Sequence, residues 1–257
     1  MKFVLASHNR GKLKEMQEIL NRLGVEVVLE SDLGLALDVE ETGTTFAENA
    51  ALKARAVMEA SGLPAIGDDS GLCVDWLQGA PGIYSARYGD LDSDPARCAL
   101  LLQNMRGATN RAAHFHTAIC CAFPNGDVLT ASGDCYGTIA FAPMGENGFG
   151  YDPVFFVPDK RRTFAQLTAE EKNEISHRGN ALRAFAVVLE EYLETHCSGT
   201  DKQTACPAAG HGRHHGHHSP CGQGRYRRQS GKTGGRRTGG PGADQGPGAG
   251  KQHVHRP

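Results

Sequence analysis

The sequence predicts an α/β domain with a central mixed sheet flanked by helices, followed by a disordered C-terminal tail. Strand-like and helix-like apolar patterns alternate at the start of the chain, as they do in a parallel sheet. Further on, Pro124-Asn125-Gly126 separates two apolar runs, and Asn-Gly between such runs is a strong hairpin signal. Both kinds of connection together predict a mixed sheet. The tail follows from a change of composition near residue 198, where apolar residues almost vanish.

Each element has its own signal. Short apolar runs indicate strands, and apolar side chains at helical spacing indicate helices. Two capping boxes, Thr45-Phe46-Ala47-Glu48 and Thr168-Ala169-Glu170-Glu171, indicate helix starts. We predict strands at 2–6 and 25–29, helices at 13–23 and 45–62, apolar runs around an acidic turn at 64–66 and 72–77, strands at 113–123, 127–132, 135–141 and 153–157, and a last helix to about residue 195.

Charge divides the chain at the same place. Residues 1–197 hold 17 Lys and Arg against 27 Asp and Glu, whereas residues 198–257 hold 10 against 2. An acidic folded surface argues against a protein whose folded domain binds nucleic acid. Residues 198–257 are rich in Gly, His, Arg and Pro, and they cannot bury enough apolar surface to offset the conformational entropy that folding would cost. We therefore predict a folded domain at 1–197 and a disordered tail at 198–257.

The cysteines and the apolar runs bear on the compartment. The eight cysteines include no CxxC pair, and the adjacent Cys120 and Cys121 would face opposite sides of a strand, so that neither zinc spacing nor a disulfide framework is evident. No apolar run approaches the roughly 20 residues needed to span a bilayer. We expect a cytoplasmic protein that has no contact with a membrane.

A candidate phosphate loop is Ser7-His8-Asn9-Arg10-Gly11-Lys12. It lies between a predicted strand and a predicted helix, where free backbone N–H groups and the helix dipole favour an anion. The alternative is a polar turn that caps the helix. On the next helix, Lys53 shares a polar stripe with Thr45 and Asn49 and could reach a phosphate, unless that stripe is simply a solvated face.

A candidate metal site is the acidic segment Asp68-Asp69-Ser70-Gly71. Mg²⁺ bound to a triphosphate takes one or two carboxylates and keeps waters in its other positions. Side chains alternate along a strand, so we expect only one of the two aspartates to enter a cleft. Glu40 is taken as the second ligand, with Glu41 as the alternative to it. The competing interpretation of the whole segment is ordinary turn chemistry.

A purine pocket is indicated by Phe149-Gly150-Tyr151-Asp152, Lys172, His177 and Arg178. Phe149 could stack on a purine, and Asp152 could accept from a ring N–H. His177 and Arg178 could donate to the carbonyl oxygen that inosine and xanthosine carry at position 6 and adenosine does not. A base without that oxygen would leave buried donors unpaired. The alternatives are core aromatics and a helix cap at Ser176.

Six segments, in this order, resemble the inosine/xanthosine triphosphate pyrophosphatase family: SHNRGK, ETGTTFAENAALKA, PAIGDDSGL, GAPGIYSARY, GENGFGYDPVFF and LTAEEKNEISHRGNAL. The resemblance covers almost all of residues 1–195. It implies an elongated α/β protein with a cleft between two lobes, generally a homodimer and magnesium-dependent. It also implies hydrolysis of ITP, dITP and XTP to the monophosphate and pyrophosphate.

The resemblance also implies roles for particular residues. Ser7 to Lys12, helped by Lys53, would bind the triphosphate. Asp69 would be the catalytic carboxylate and a metal ligand, and Ser70 would contact the substrate. Base recognition would fall to Phe149, Gly150, Tyr151, Asp152, Lys172, His177 and Arg178. Many members of the family begin the first loop with Thr-Gly-Asn, whereas this chain has Ser7-His8-Asn9.

Two other functions stay open. One is a pyrophosphatase for other modified nucleotides, which would share the phosphate loop and differ in the base pocket. The other is nucleic-acid binding through the tail, and removal of residues 199–257 separates it from the enzyme hypothesis, on which hydrolysis stays unchanged. The tail also holds five histidines between residues 211 and 218, for which we predict incidental binding of Ni²⁺, Cu²⁺ or Zn²⁺.

Overall fold

Strands and helices alternate through the first half of residues 1–197, the part of the chain that this computed structural model describes. In chain order the elements are β1 Lys2–Leu5, α1 Arg10–Leu20, β2 Glu26–Leu29, α2 Phe46–Ser61, β3 Ala65–Val74, α3 Asp94–Asn104, β4 Ala112–Ala122, β5 Val128–Ile139, β6 Phe155–Val157, β7 Arg162–Thr163, α4 Ala169–Ile175 and α5 His177–Cys197. The predictions for residues 198–257, disorder and metal binding, lie outside the described residues.

The seven strands join in one sheet, in the order β2-β1-β3-β4-β5-β6-β7. β1 pairs in parallel with β2 and β3, and the other neighbours pair antiparallel. The Asn-Gly turn joins β4 to β5, where the N–H of Gly126 donates to the carbonyl oxygen of Phe123 at 3.0 Å. The prediction of a mixed sheet flanked by helices is therefore confirmed.

Three local predictions are wrong. The strands predicted at 127–132 and 135–141 form one continuous strand, β5, which pairs with β4 from Val128 to Thr138. The acidic segment 68–71 is not a turn between two apolar runs, because it lies in the middle of β3, which pairs with β4 along its whole length. Cross-strand pairing on this scale outweighs the local turn preference of Asp, Ser and Gly. The last helix is also broken, since α4 ends at Ile175 and Ser176 is extended before α5 begins.

Helices cover both faces of the sheet. On β4, Ile119 and Cys121 pack against the α1 and α5 side, whereas Ala118 and Cys120 pack against α2. The predicted opposite orientation of the two adjacent cysteines is thus confirmed. Helices α2 and α5 lie very close to the sheet. A Cβ on Gly67 of β3 would stand 2.2 Å from the carbonyl oxygen of Ala50 in α2, and a Cβ on Gly133 of β5 would stand 2.3 Å from the backbone nitrogen of Ala181 in α5.

The two larger hydrophobic cores of the described residues lie at different places along the sheet. One packs β1 and β2 against α1 and α5, and the other surrounds Phe115, Phe155 and Phe164 at the opposite ends of the long strands. On β3, Ile66 belongs to the first core and Leu72 to the second, and polar residues 68–70 lie between them. The polar residues 68–70 of β3 therefore lie at the boundary between the two cores. Within residues 1–197, no helix has the length and apolarity to cross a bilayer.

Candidate active site

A cavity of about 310 Å³ opens at this boundary. Eleven of the site residues expected from the sequence line this cavity, namely Lys12, Lys53, Asp69, Ser70, Phe149, Gly150, Tyr151, Asp152, Lys172, His177 and Arg178. Ser7 and His8 line an adjoining cavity that shares Lys12 and Lys53 with the first. Asn9, Arg10, Gly11 and Glu40 line neither cavity, whereas Glu41 lines the first.

The loop after β1 is organised by its own side chains. Asn9 is the N-cap of α1, and its Oδ1 accepts from the backbone N–H groups of Gly11 and Lys12 at 2.8 and 3.2 Å. Ser7 Oγ accepts from the N–H of Asn9 at 3.1 Å. Three backbone donors that the sequence offered to an anion are thus bonded within the loop, so Lys12 is the donor that the loop presents to the cleft. His8 pairs with the buried carboxylate of Glu30 at 3.4 Å.

Asp68 and Asp69 point to opposite sides of β3, as strand periodicity requires. Asp68 is buried and lies 2.9 Å from the Lys12 ammonium and 3.6 Å from Nε of Arg178. Burial raises the pKa of Asp68, but the charges of Lys12 and Arg178 outweigh it and lower the pKa to about 2. Asp68 is therefore an ionised carboxylate that holds the side chains of Lys12 and Arg178 at the cleft, a role that the sequence does not predict.

Asp69 lies on the α2 side of the strand. Its Oδ1 is 3.3 Å from Nζ of Lys53, and its Oδ2 accepts from Asn49 at 3.3 Å. Asn49 and Lys53 of the polar stripe thus face the sheet, whereas Thr45 is exposed and caps α2. Lys53 also lies 2.9 Å from Glu41, whose other oxygen is 3.1 Å from Arg87. Burial first, and then the charge of Glu41, raise the pKa of Asp69 against the opposing charge of Lys53.

Four carboxylates line the cleft, those of Glu41, Asp69, Asp94 and Asp152, and two of them, Asp69 and Glu41, share Lys53 as an ionic partner. Glu40 is exposed and outside the cleft. Within residues 1–197, no group of three or more His, Cys, Asp or Glu is placed to hold a metal. A pair of carboxylates fits Mg²⁺, which keeps waters and takes further ligands from substrate phosphates. It does not fit a closed structural zinc site.

The opposite end of the cleft combines an aromatic face with a buried carboxylate. Asp152 is 2% exposed, and its Oδ2 accepts from Nζ of Lys172 at 2.5 Å and from the N–H of Phe149 at 2.9 Å. The Phe149 ring is 57% exposed, with the Lys172 ammonium 4.8 Å from its centroid. Tyr151, by contrast, is buried, and its hydroxyl donates to the carbonyl oxygen of Ser85 at 2.8 Å. Tyr151 therefore anchors the loop from the core.

The first turn of α5 completes this end. The Ser176 hydroxyl accepts from the N–H of Gly179 at 3.0 Å, so Ser176 does cap the helix. The ring of His177 stacks on Phe115 at 4.7 Å, and its buried Nδ1 has no hydrogen-bond partner within the described residues. Burial, together with the nearby charges of Arg178 and Lys172, holds the pKa of His177 well below its usual range. His177 therefore lines the cleft as a neutral imidazole at neutral pH.

His177 gives a prediction for stability. The pKa of His177 is depressed in the folded state. Below about pH 6.5 the imidazole is therefore protonated in the unfolded chain but stays neutral in the folded chain. The free energy of unfolding should fall for this reason by about 1.4 kcal/mol by pH 5.5. Replacement of His177 by Gln should remove this component. Urea unfolding of both proteins at pH 7.0 and 5.5 measures it, and an equal pH dependence in the two would contradict a neutral His177.

The chain is similar in sequence to a protein family and to named proteins of several bacteria. Residues 3–188 match the model of the Ham1 family. A dITP/XTP pyrophosphatase of Exiguobacterium sp. is 52% identical over 195 residues, which make up 76% of this chain and 100% of that protein. The dITP/XTP pyrophosphatase of Bacillus subtilis is 45% identical over 190 residues, 73% of this chain and 96% of its relative.

Solved structures agree with the sequence comparison. A HAM1 protein from Coxiella burnetii aligns with a TM-score of 0.71 at 44% identity, over 74% of this chain and 99% of its own. The Ham1 protein of Staphylococcus aureus aligns with a TM-score of 0.69 at 43% identity, over 76% and 99%. With the family match over most of the domain and a close relative matched along its full length, this chain belongs to the Ham1 family.

Proposed function

We propose that this protein hydrolyses deaminated purine nucleoside triphosphates, ITP, dITP and XTP, to the monophosphate and pyrophosphate. The observation that carries the proposal is that one cleft joins two kinds of site. Lys12 and Lys53 lie at one end beside a carboxylate pair, and an exposed aromatic ring lies at the other end beside Asp152 and His177. The membership of the Ham1 family and the names of its close relatives support the same substrate class.

In this proposal the residues at the two ends of the cleft bind the base and the triphosphate. Phe149 stacks on the base, Asp152 accepts from the ring N–H, and His177 and Arg178 face the carbonyl oxygen at position 6. Lys12 and Lys53 neutralise charge on the triphosphate as it develops during attack on the α-phosphorus. Asp69 orients the attacking water and accepts its proton. Ser7 and His8 extend the phosphate site into the adjoining cavity, and Ser70 contacts the substrate.

We propose Mg²⁺ as the cofactor, held by Asp69 and Glu41 in place of the Glu40 expected from the sequence. Bound there, the cation would neutralise phosphate oxygens and increase the acidity of a water. Glu41 supports this choice because it lines the cleft and shares Lys53 with Asp69, whereas Glu40 is exposed.

A matched pair of substitutions tests the metal ligand. Glu41→Gln should lower kcat/KM for dITP by about 10- to 100-fold and increase the Mg²⁺ concentration needed for half-maximal rate. Glu40→Gln changes the same charge one residue away and should leave both quantities at the wild-type value. Magnesium titrations of the three proteins give the answer, and a larger loss in Glu40→Gln would return the assignment to Glu40.

A nucleotide panel tests the function. With Mg²⁺ present, kcat/KM for dITP, ITP and XTP should exceed that for dATP and dTTP by at least about 100-fold, and pyrophosphate should be the released product. Preference for dTTP or a methylated pyrimidine would instead indicate a pyrophosphatase for other modified nucleotides. Direct release of inorganic monophosphate would indicate hydrolysis at the γ-phosphate.

The remaining assignments concern the whole chain. We propose a homodimer on the family resemblance, which a sedimentation measurement tests. We propose a cytoplasmic location, which the free thiols of the five cysteines from Cys73 to Cys135 support. We also propose that residues 1–197 form the catalytic domain by themselves. Removal of residues 199–257 should then leave magnesium-dependent dITP hydrolysis unchanged.

A further inference from the structure

Helix α3 contacts the loop that carries Phe149 and Asp152 at a glycine between them. Asp94 is the first residue of the helix, and its Oδ2 accepts from the N–H of Gly150 at 2.7 Å. One turn further along, the thiol of Cys98 donates to the carbonyl oxygen of Gly150 at 3.3 Å. Residues four apart lie on one face of a helix. One helix face therefore holds both backbone polar groups of a single loop residue.

The backbone of Gly150 shows why these bonds matter. Its φ is +61°, in the left-handed region that favours glycine. A Cβ at this position would meet nothing within 4 Å, so the conformation and not the space selects glycine. Glycine also has the greatest conformational freedom of any residue. The bonds from Asp94 and Cys98 restrain this glycine, in addition to the bond that anchors Tyr151 to Ser85.

The chemical state of both α3 side chains suits this task. Burial first, and then the charges of Asp94 and Asp152, raise the pKa of Cys98 to about 11, so the thiol keeps the proton that it donates. Burial raises the pKa of Asp94, but the bonds from Gly150 and Arg97 outweigh burial and lower it. Asp94 is thus an ionised acceptor, and its bond to Gly150 is charge-assisted.

We propose that Asp94, together with Cys98, is a positioning residue for base recognition. The two side chains fix Gly150 and so set the orientation of Phe149 and Asp152 toward the purine. This inference rests on the proposed function, in which that loop reads the base. Asp94 and Arg97 line the same cleft, and Arg97 pairs with Asp94 from the next turn of the helix, which restrains the carboxylate.

Three variants test the role of Asp94. Asp94→Ala should increase KM for dITP about tenfold with kcat within about twofold of wild type, and should lower the dITP-to-dATP ratio of kcat/KM by about the same factor. Asp94→Asn retains a side-chain oxygen that can accept from Gly150 and should recover most of the affinity. Asp92→Ala, an exposed carboxylate two residues away, is the matched control and should behave as wild type.

A second pair of variants keeps the test open if Asp94→Ala does not fold. Cys98→Ala removes the donor and should increase KM about threefold, whereas Cys98→Ser keeps a donor in the same place and should match wild type. The proposal is overturned if Asp94→Ala shows the KM of Asp92→Ala, if kcat falls at unchanged KM, or if Cys98→Ser loses as much as Cys98→Ala. Wild-type dITP hydrolysis is measured first, because its absence would overturn the proposed function and not the positioning role alone.

Discussion

Asp69→Asn is expected to lower kcat for dITP by about 10³-fold at saturating Mg²⁺ while the protein stays folded. Asparagine has nearly the same shape as aspartate, but it cannot accept the proton of the attacking water and it offers a cation no charge. The amide would also place a donor next to either Lys53 or Asn49, each 3.3 Å from Asp69. The lost rate therefore reflects chemistry at this carboxylate and not the size of the side chain.

Folding and metal binding need separate controls in this experiment. Thermal unfolding should show that Asp69→Asn remains cooperative, because Lys53 keeps Glu41 as a partner. A Mg²⁺ titration of the variant shows whether excess cation restores the rate. Full recovery at high Mg²⁺ would assign Asp69 to metal binding alone. Retention of most of the activity at ordinary Mg²⁺ would remove Asp69 from the catalytic role.

Much of the fold could be predicted because its signals are local. The capping box at Thr45, the αL glycine at Gly62 and the Asn-Gly turn each act within a few residues, and all three are present in the structure. β3 could not be predicted in the same way. Residues 68–71 have turn composition, and their extended conformation comes from pairing with β4, some fifty residues further along the chain.

Some residues of the candidate site could likewise be predicted from local sequence, and others could not. Residues within recognisable strings, such as Asp69 and Lys172, could be placed from the sequence. The choice between Glu40 and Glu41 could not, because the segment before α2 is irregular and has no periodicity that orients a side chain. Lys53 and Arg87 orient Glu41 from elsewhere in the chain. Asp94 gave no signal at all, because an aspartate at the first position of a helix is ordinary.

Asp152→Asn is expected to lower the ratio of kcat/KM for dITP to that for dATP by about 100-fold, with the loss falling mainly on dITP. Hypoxanthine carries a hydrogen on ring N1, whereas adenine presents a lone pair there and an amino group at position 6. A carboxylate accepts from the first base and repels the second. An asparagine amide can accept from the amino group and donate to the adenine N1, so the preference between the two bases should collapse.

The buried position of Asp152 makes this test demanding. Its Oδ2 also holds Lys172 and the N–H of Phe149, so a neutral side chain weakens both bonds and costs affinity for any purine. The ratio of kcat/KM for dITP to that for dATP isolates base reading from this general loss, since weaker stacking by Phe149 alone would lower both values together. Asp159→Asn, an exposed carboxylate after β6, is the matched control and should keep the wild-type ratio. Equal losses for dITP and dATP in Asp152→Asn would show that Asp152 holds the loop without reading the base.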